Sequence, residues 1–308
     1  MPERATRPPA PPRIRSIGAV LEEAAQRLER SGVPQARREA TSIWAAVAGP
    51  RVTPGDVWLQ HAAEPAAGVA QRFRDAVERR SRGIPFAYAV GRAGFRDLEL
   101  RLDPRALIPR PETEGLVDLV LRWTHEGGKG EGGKGKGGVA ADIGTGCGCI
   151  ALALAVEGHF DRVVAVERSA AAAALARENV ARVGPPTPVE VREGDLLAPL
   201  AGARYRAIVS NPPYLTEGEY AALDPAVRGF EPREALVSGP EGLDATRDLL
   251  VGAAARLEPG GLLALEVDER RAERVRALAR KSGWSRVAIY EDLFGRPRFL
   301  LAFAKEES

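Results

Sequence analysis

Asn211-Pro212-Pro213-Tyr214 combines, in four residues, the groups needed to hold a planar amine. An Asn side chain offers one acceptor oxygen, and Pro212 offers a backbone carbonyl while lacking an N–H of its own. Together they can accept both hydrogens of an –NH2 group, and Tyr214 adds an aromatic face to cover the plane that carries it. The apolar run Ala207-Ile208-Val209-Ser210 comes immediately before and reads as a strand. Ligands of open α/β sheets bind at the carboxyl ends of strands, so the clamp stands where such chemistry is expected. A plain Pro-Pro turn closing a strand is the other reading of the tetrapeptide taken by itself.

The choice between the two rests on what lies upstream. Val139-Ala140-Ala141-Asp142-Ile143 reads as a buried strand, followed by Gly144-Thr145-Gly146-Cys147-Gly148 and then by a helical stretch from Cys149 to Ala155. Alternate glycines let the backbone turn sharply and approach a ligand with no Cβ in the way. Glu167 closes a second strand, 162–166, and stands 19 residues beyond Gly148, the spacing at which an acid reaches ribose hydroxyls. The G-x-G-x-G spacing differs from the dinucleotide pattern and favours a nucleoside without a pyrophosphate. A third strand, 189–192, leads to Gly194-Asp195, whose carboxylate is placed for an adenine amino group. Four strand ends therefore converge on one crevice.

With these residues in place, the chain resembles the protein-(glutamine-N5) methyltransferases of the HemK/PrmC type. The segment Ala106-Leu107-Ile108-Pro109-Arg110-Pro111-Glu112-Thr113-Glu114 is similar to the signature that opens that family's catalytic domain. Arg80 with Gly83-Ile84-Pro85, and Gly91-Arg92-Ala93-Gly94-Phe95, resemble its linker. Glu231-Pro232-Arg233-Glu234-Ala235-Leu236 and Gly242-Leu243 resemble the segment after the clamp. Glu167 stands where the family usually has Asp, Leu196 where some members have an aromatic residue, and Cys147 where Ser or Thr is common; Leu196 bears on how adenine is stacked. The resemblance covers roughly residues 16–304.

The resemblance implies methyl transfer from S-adenosyl-L-methionine to the side-chain amide nitrogen of a glutamine, in the GGQ motif of peptide chain release factors. It implies a class I methyltransferase fold: Rossmann-like α/β, a mostly parallel seven-stranded sheet with an antiparallel last strand, preceded by a small helical domain. The expected catalytic and substrate-binding residues are Asn211, Pro212, Pro213 and Tyr214. The expected cofactor-binding residues are Asp142, Gly144, Thr145, Gly146, Cys147, Gly148, Glu167, Asp195, Leu196 and Asn211. Accepting both amide hydrogens would stabilise the charge that grows on nitrogen and orient it for attack, which needs no strong base. Two other functions share the same motifs. One is N6-methylation of adenine in DNA or RNA, since the clamp fits an exocyclic base amine equally well; the other is a non-catalytic nucleoside-binding module.

Helices, strands and linkers must position these residues. Ile17, Val20, Leu21, Ala24 and Leu28 follow helical spacing behind a candidate N-cap, Ser16. Further helices near 35–48 and 66–82 complete a helical domain over residues 16–84, expected to dock the substrate, with Trp44, Trp58 and Phe73 in its core. Residues 86–104 alternate enough to suggest a β-hairpin, in a linker over 85–108. The catalytic domain, 109–308, then alternates helix (112–124) with strands near 139, 162, 189, 205 and 260, the pattern of a mostly parallel sheet. The last runs, 286–292 and 299–304, are joined too closely for a parallel crossover and make a hairpin.

Composition narrows the partners. Residues 1–90 hold 14 Arg and no Lys against 9 acids, leaving +5 there and −3 in the rest of a +2 chain. Near-balanced charge and the absence of a separate basic module argue against direct nucleic-acid binding. No apolar run approaches the ~18 residues of a membrane span and no secretory h-region is seen, so a soluble cytoplasmic protein is expected. Cys147 and Cys149, with three scattered histidines, offer too few ligands for zinc, and no metal is expected. Residues 1–15 read as a disordered Pro/Arg-rich tail. Residues 126–138, EGGKGEGGKGKGG, read as a flexible insertion whose chance G-x-G-x-x-G and near P-loop follow no strand.

Overall fold

A computed structural model describes residues 16–125 and 137–306; the N-terminal tail and nearly all of the Gly/Lys-rich insertion lie outside the described residues. The chain divides between Val90 and Gly91 into two compact units.

The first unit is helical: α1 (Ile17–Arg30), α2 (Ala36–Ala48), α3 (Pro54–Leu59), α4 (Ala67–Ser81) and α5 (Phe86–Val90). Ser16 caps α1, its hydroxyl accepting from the Ala19 N–H at 3.3 Å, while the Ile17 and Gly18 N–H groups donate to the carbonyls of Ala63 and His61. These bonds satisfy donors that a helix start leaves unpaired. Apolar faces at helical spacing close over Leu28, Ile43, Trp44 and Phe73, with the Trp44 and Phe73 rings meeting edge to face at 5.0 Å. Trp58, expected in this core, is 72% exposed. Its neighbour Val57 takes the single inward position of the short α3, and Trp58 stacks outward on His61. The expected hairpin over 86–104 is likewise shorter than its alternation suggested, because 86–90 coils into α5 with Tyr88 and Ala89 buried. Three arginines of this unit are spent on it: Arg72 and Arg79 donate to the Val47 and Ala89 carbonyls, and Arg80 pairs with Glu39.

The second unit opens with a two-stranded hairpin, β1 (Arg92–Phe95) and β2 (Leu98–Arg101), followed by α6 (Pro111–His125). Arg96 turns the hairpin with φ 53°, the left-handed conformation that tight hairpins require. Its guanidinium donates to Glu157 through Nε and Nη2 at 2.6 and 2.7 Å and to Asp118 through Nη1 at 2.7 Å. Next come β3 (Val139–Ile143), α7 (Cys149–Glu157), β4 (Arg162–Glu167), α8 (Ala170–Val183), β5 (Val189–Glu193) and β6 (Tyr205–Ser210). After β6 lie the short helices α9 (Glu217–Ala221) and α10 (Pro225–Arg228), then α11 (Asp244–Gly252), β7 (Leu257–Glu266), α12 (Ala272–Lys281), β8 (Arg286–Glu291) and β9 (Pro297–Phe303).

Seven strands form one sheet in the order β5-β4-β3-β6-β7-β9-β8. Strands β3 to β7 pair in parallel, whereas β9 runs antiparallel to both β7 and β8. The central strands are mostly apolar, and β6 is buried at every position, as expected where helices cover both faces. The edge strands β5 and β8 carry charge instead, including Glu190, Arg192, Arg286 and Glu291, which discourages pairing with another chain. Among the described residues no helix is long and apolar enough to cross a membrane.

The strand order reverses at β3. From there the chain winds outward through β4 and β5, then returns to lay β6 on the opposite flank of β3. Such a reversal opens a crevice at the carboxyl ends of the two strands. Register pairs Ile143 with Ser210, so Gly144 and Asn211 leave the sheet side by side.

Candidate active site

The glycine loop is held from three directions. Gly144 and Thr145 donate their N–H groups to the Val166 carbonyl of β4 at 2.9 and 3.0 Å. The loop glycines take φ of 72°, 57° and 90° at positions 144, 146 and 148, a region closed to most side chains. Asp142, fully buried at the end of β3, accepts from the Thr145 hydroxyl at 2.5 Å and from the Ala151 N–H at 3.0 Å. It thereby ties the loop to the first turn of α7, whose preceding residue Gly148 has no side chain to cap it. Burial pushes its carboxyl up to about 7, against the pull of these two bonds. Asn179 of α8 completes the support, with Nδ2 donating to the Cys147 carbonyl at 2.8 Å and to the Arg101 carbonyl of β2 at 3.0 Å. No local pattern marks this residue, because its partners lie 32 and 78 residues away in the chain.

Glu167 lies directly against the loop. One carboxylate oxygen accepts the Gly146 N–H at 2.9 Å and the other the Ser169 N–H at 2.9 Å. A carboxylate has about four lone-pair sites, so two stay open for a vicinal diol. Gly144, Gly146, Glu167, Asp195, Leu196, Asn211 and Pro213 all border one cavity of ≈ 330 Å³. Asp195 is exposed on its rim. Leu196 holds φ 45° and turns a half-buried aliphatic flank to the cavity while packing on the central core. A Cβ built on Gly144 would meet no atom within 4 Å, so the loop faces open space. Asp142, Thr145, Cys147 and Gly148, expected to bind the cofactor, do not border this cavity.

Asn211 is half-buried at the end of β6. Its Nδ2 donates to the Thr113 hydroxyl at 3.1 Å, and that hydroxyl donates to Glu266 Oε2 at 2.7 Å. Thr113 starts α6 and Glu266 ends β7; both are buried, and neither is among the residues expected at the site. Burial pushes the Glu266 carboxyl up to about 7. Pro212 is buried, and neither it nor Tyr214 borders the 330 Å³ cavity. The Tyr214 phenol is pushed up to about 12, by burial first and by the nearby Glu266 carboxylate next.

The chain after the clamp folds back over it. Tyr214 and Leu215 donate to the Leu236 carbonyl at 3.2 and 2.8 Å, and Ser238 donates to that of Leu215 at 2.9 Å. Glu231, buried, takes Arg110 at 2.7 Å and the Ile108 N–H at 3.2 Å, joining this segment to the one before α6. Gly242 has φ 68°, and a Cβ there would collide with the Tyr214 carbonyl. The segments singled out in the sequence around 106–114, 211–214 and 231–243 thus meet around the clamp.

Comparison with known proteins gives this arrangement a family. Residues 133–227 match the family model of the Methyltransferase small domain, and residues 19–91 that of the PrmC N-terminal domain. Among solved structures, a methyltransferase from Pyrococcus furiosus is 22% identical, covering 70% of this chain and 92% of its own, with a TM-score of 0.50. The hMettl16 catalytic domain in complex with an RNA hairpin is 17% identical, covering 78% and 82%, with a TM-score of 0.52. These two share the fold. The release factor glutamine methyltransferase of Moorella thermoacetica is 40% identical over 95% of this chain and 100% of its own length. That of Deinococcus radiodurans is 38% identical over 92% and 96%. With likeness over nearly the full length of both chains, and a glycine loop and an NPPY clamp side by side at the strand reversal, the chain belongs to the release factor glutamine methyltransferase family.

Proposed function

We infer that this enzyme methylates the side-chain amide nitrogen (N5) of the glutamine in the GGQ motif of peptide chain release factors, with S-adenosyl-L-methionine as donor. The observation that carries this reading is the adjacency of Gly144 and Asn211 on paired strand ends, bordering one cavity. The cofactor, when bound, supplies an electrophilic methyl group on a sulfonium. The residues fit it: the loop offers close approach without Cβ atoms, Glu167 keeps lone pairs for the ribose hydroxyls, and Asp195 and Leu196 offer a carboxylate and an apolar flank for adenine.

An amide nitrogen is a poor nucleophile because its lone pair is delocalised into the carbonyl. Asn211 Oδ1 and the Pro212 carbonyl accept its two hydrogens and stabilise the positive charge that develops there, fixed acceptors aimed where charge appears. Holding the nitrogen in one place also removes an entropic part of the barrier. Tyr214, neutral because burial holds its phenol protonated, covers the amide plane. The extra proton leaves to water. The helical first unit supplies a second contact on the release factor, and the two free thiols, Cys147 and Cys149, suit the reducing cytoplasm.

The test is mass spectrometry of a release factor incubated with the enzyme and methyl-labelled cofactor. One label on the GGQ glutamine is expected. Label on adenine of DNA or RNA instead would overturn the assignment.

A further inference from the structure

The two ends of a carboxamide have nearly the same shape and opposite hydrogen-bonding character. Asn211 can serve the reaction proposed above only with its oxygen toward the acceptor amide; turned over, it would set N–H against N–H. Something must decide between the two.

Thr113 and Glu266 are in position to do so. Both are almost wholly buried, at 2% and 1% exposure. A hydroxyl has one hydrogen, and that of Thr113 goes to Glu266 Oε2 at 2.7 Å. Toward Asn211 the hydroxyl can therefore only accept, and it does so from Nδ2 at 3.1 Å. A reversed amide would bring Oδ1 against the Thr113 lone pairs and leave a polar atom unpartnered, which burial makes costly. The geometry comes from three segments: Thr113 at the start of α6, Asn211 after β6, and Glu266 at the end of β7. Register pairs Ser210 with Leu265, so Asn211 and Glu266 leave adjacent strands together.

We propose that Thr113 and Glu266 are positioning residues for methyl transfer, which fix the Asn211 amide with its oxygen toward the acceptor nitrogen. The proposal rests on the function inferred above. It carries a pH signature. Once protonated, Glu266 can donate to Thr113, whose hydrogen is then free for Asn211 Oδ1, and the amide can turn. Burial favours protonation of Glu266 and Glu112 adds to it, whereas the Thr113 bond, Arg298 and Arg110 oppose it, with the neutral Tyr214 phenol close by. Turnover should therefore fall as pH drops through neutrality.

The experiment measures kcat on a Gly-Gly-Gln peptide at saturating cofactor from about pH 5.5 to about pH 8.5, with cofactor affinity measured on each variant. Thr113→Val should lower kcat about tenfold, the fold-change of one ordinary hydrogen bond, leave cofactor affinity unchanged and abolish the fall near neutrality. Thr113→Ser should restore both rate and pH profile, and Glu266→Gln should abolish the fall. Wild-type kcat and profile in Thr113→Val would overturn the proposal, as would a serine variant as impaired as the valine one. If Thr113→Val fails to bind cofactor, Glu266→Gln decides: a wild-type fall in its profile overturns the proposal. Asn211→Ala, run alongside, separates the two readings. Full activity there would sink the clamp itself, whereas its loss with Thr113→Val unaffected would sink only the positioning role.

Discussion

The Gly146 N–H donates to the Glu167 carboxylate at 2.9 Å, so the loop and the acid 21 residues beyond it form one bonded unit. The other carboxylate oxygen is held by Ser169, and the acid stands ready on the cavity wall. A prearranged acid of this kind binds a diol with little further ordering cost.

Glu167→Ala should accordingly weaken S-adenosylmethionine binding on the order of 10- to 100-fold, the worth of hydrogen bonds to a charged group. Gly146→Val, placing a branched side chain at φ 57°, should add to the loss. Calorimetric titration in the presence of EDTA checks both, and an unchanged Kd in the double variant would remove the site assignment.

Asn211→Ala should keep cofactor affinity and lose methyl transfer on the order of 10²-fold or more, as expected for a fixed group that stabilises developing charge. Single-turnover kinetics with labelled cofactor measures it. A kcat close to wild type would make the clamp a structural turn.

The helical unit has its own core, and a GGQ loop alone offers little contact area. Deleting residues 1–90 should lower kcat/KM for intact release factor far more than for a short peptide, because remote binding energy is lost while the clamp remains. Circular dichroism and cofactor titration establish that the remainder folds. Equal losses on both substrates would deny the unit a docking role.

Asp142 offers a test in stability. Its folded carboxyl is raised to about 7 by burial from about 4 in an unfolded chain. Between these values the native state holds a proton that the unfolded state lacks, so this group's contribution is full below pH 4 and is lost as pH rises through 7. Asp142→Asn cannot titrate. Its stability relative to wild type should improve on the order of 3 kcal/mol between about pH 5 and about pH 8, measured by urea unfolding. Parallel pH dependences would show that the carboxyl is not raised.

Sheet and loop were legible because each depends on neighbours in sequence: apolar runs make strands, and alternate glycines make a turn wherever they follow one. Even the reversal of β9 could be read from the short join to β8. Trp58 could not be placed, since hydrophobicity says that a side chain prefers burial but not which side of a six-residue helix faces the core. The alternation in 86–90 was equally ambiguous, and a five-residue helix resulted. Hidden altogether were contacts made by the fold alone. Thr113 meets Asn211 across 98 residues and Glu266 across 153, and Asn179 reaches the loop across 32. Nothing local marks such side chains.

The reversal at β3 has an evolutionary consequence. Asn211 apart, the groups proposed to handle the methyl donor lie on the β3, β4 and β5 side, and those proposed to grip the acceptor amide lie after β6. Donor and acceptor recognition thus meet at Asn211 and are otherwise carried by different strand ends. Substitutions around Pro212 and Tyr214, neither of which borders the nucleoside cavity, can alter acceptor recognition while the nucleoside half is passed on unchanged, and a lineage that acquires a new acceptor need never lose its methyl source on the way.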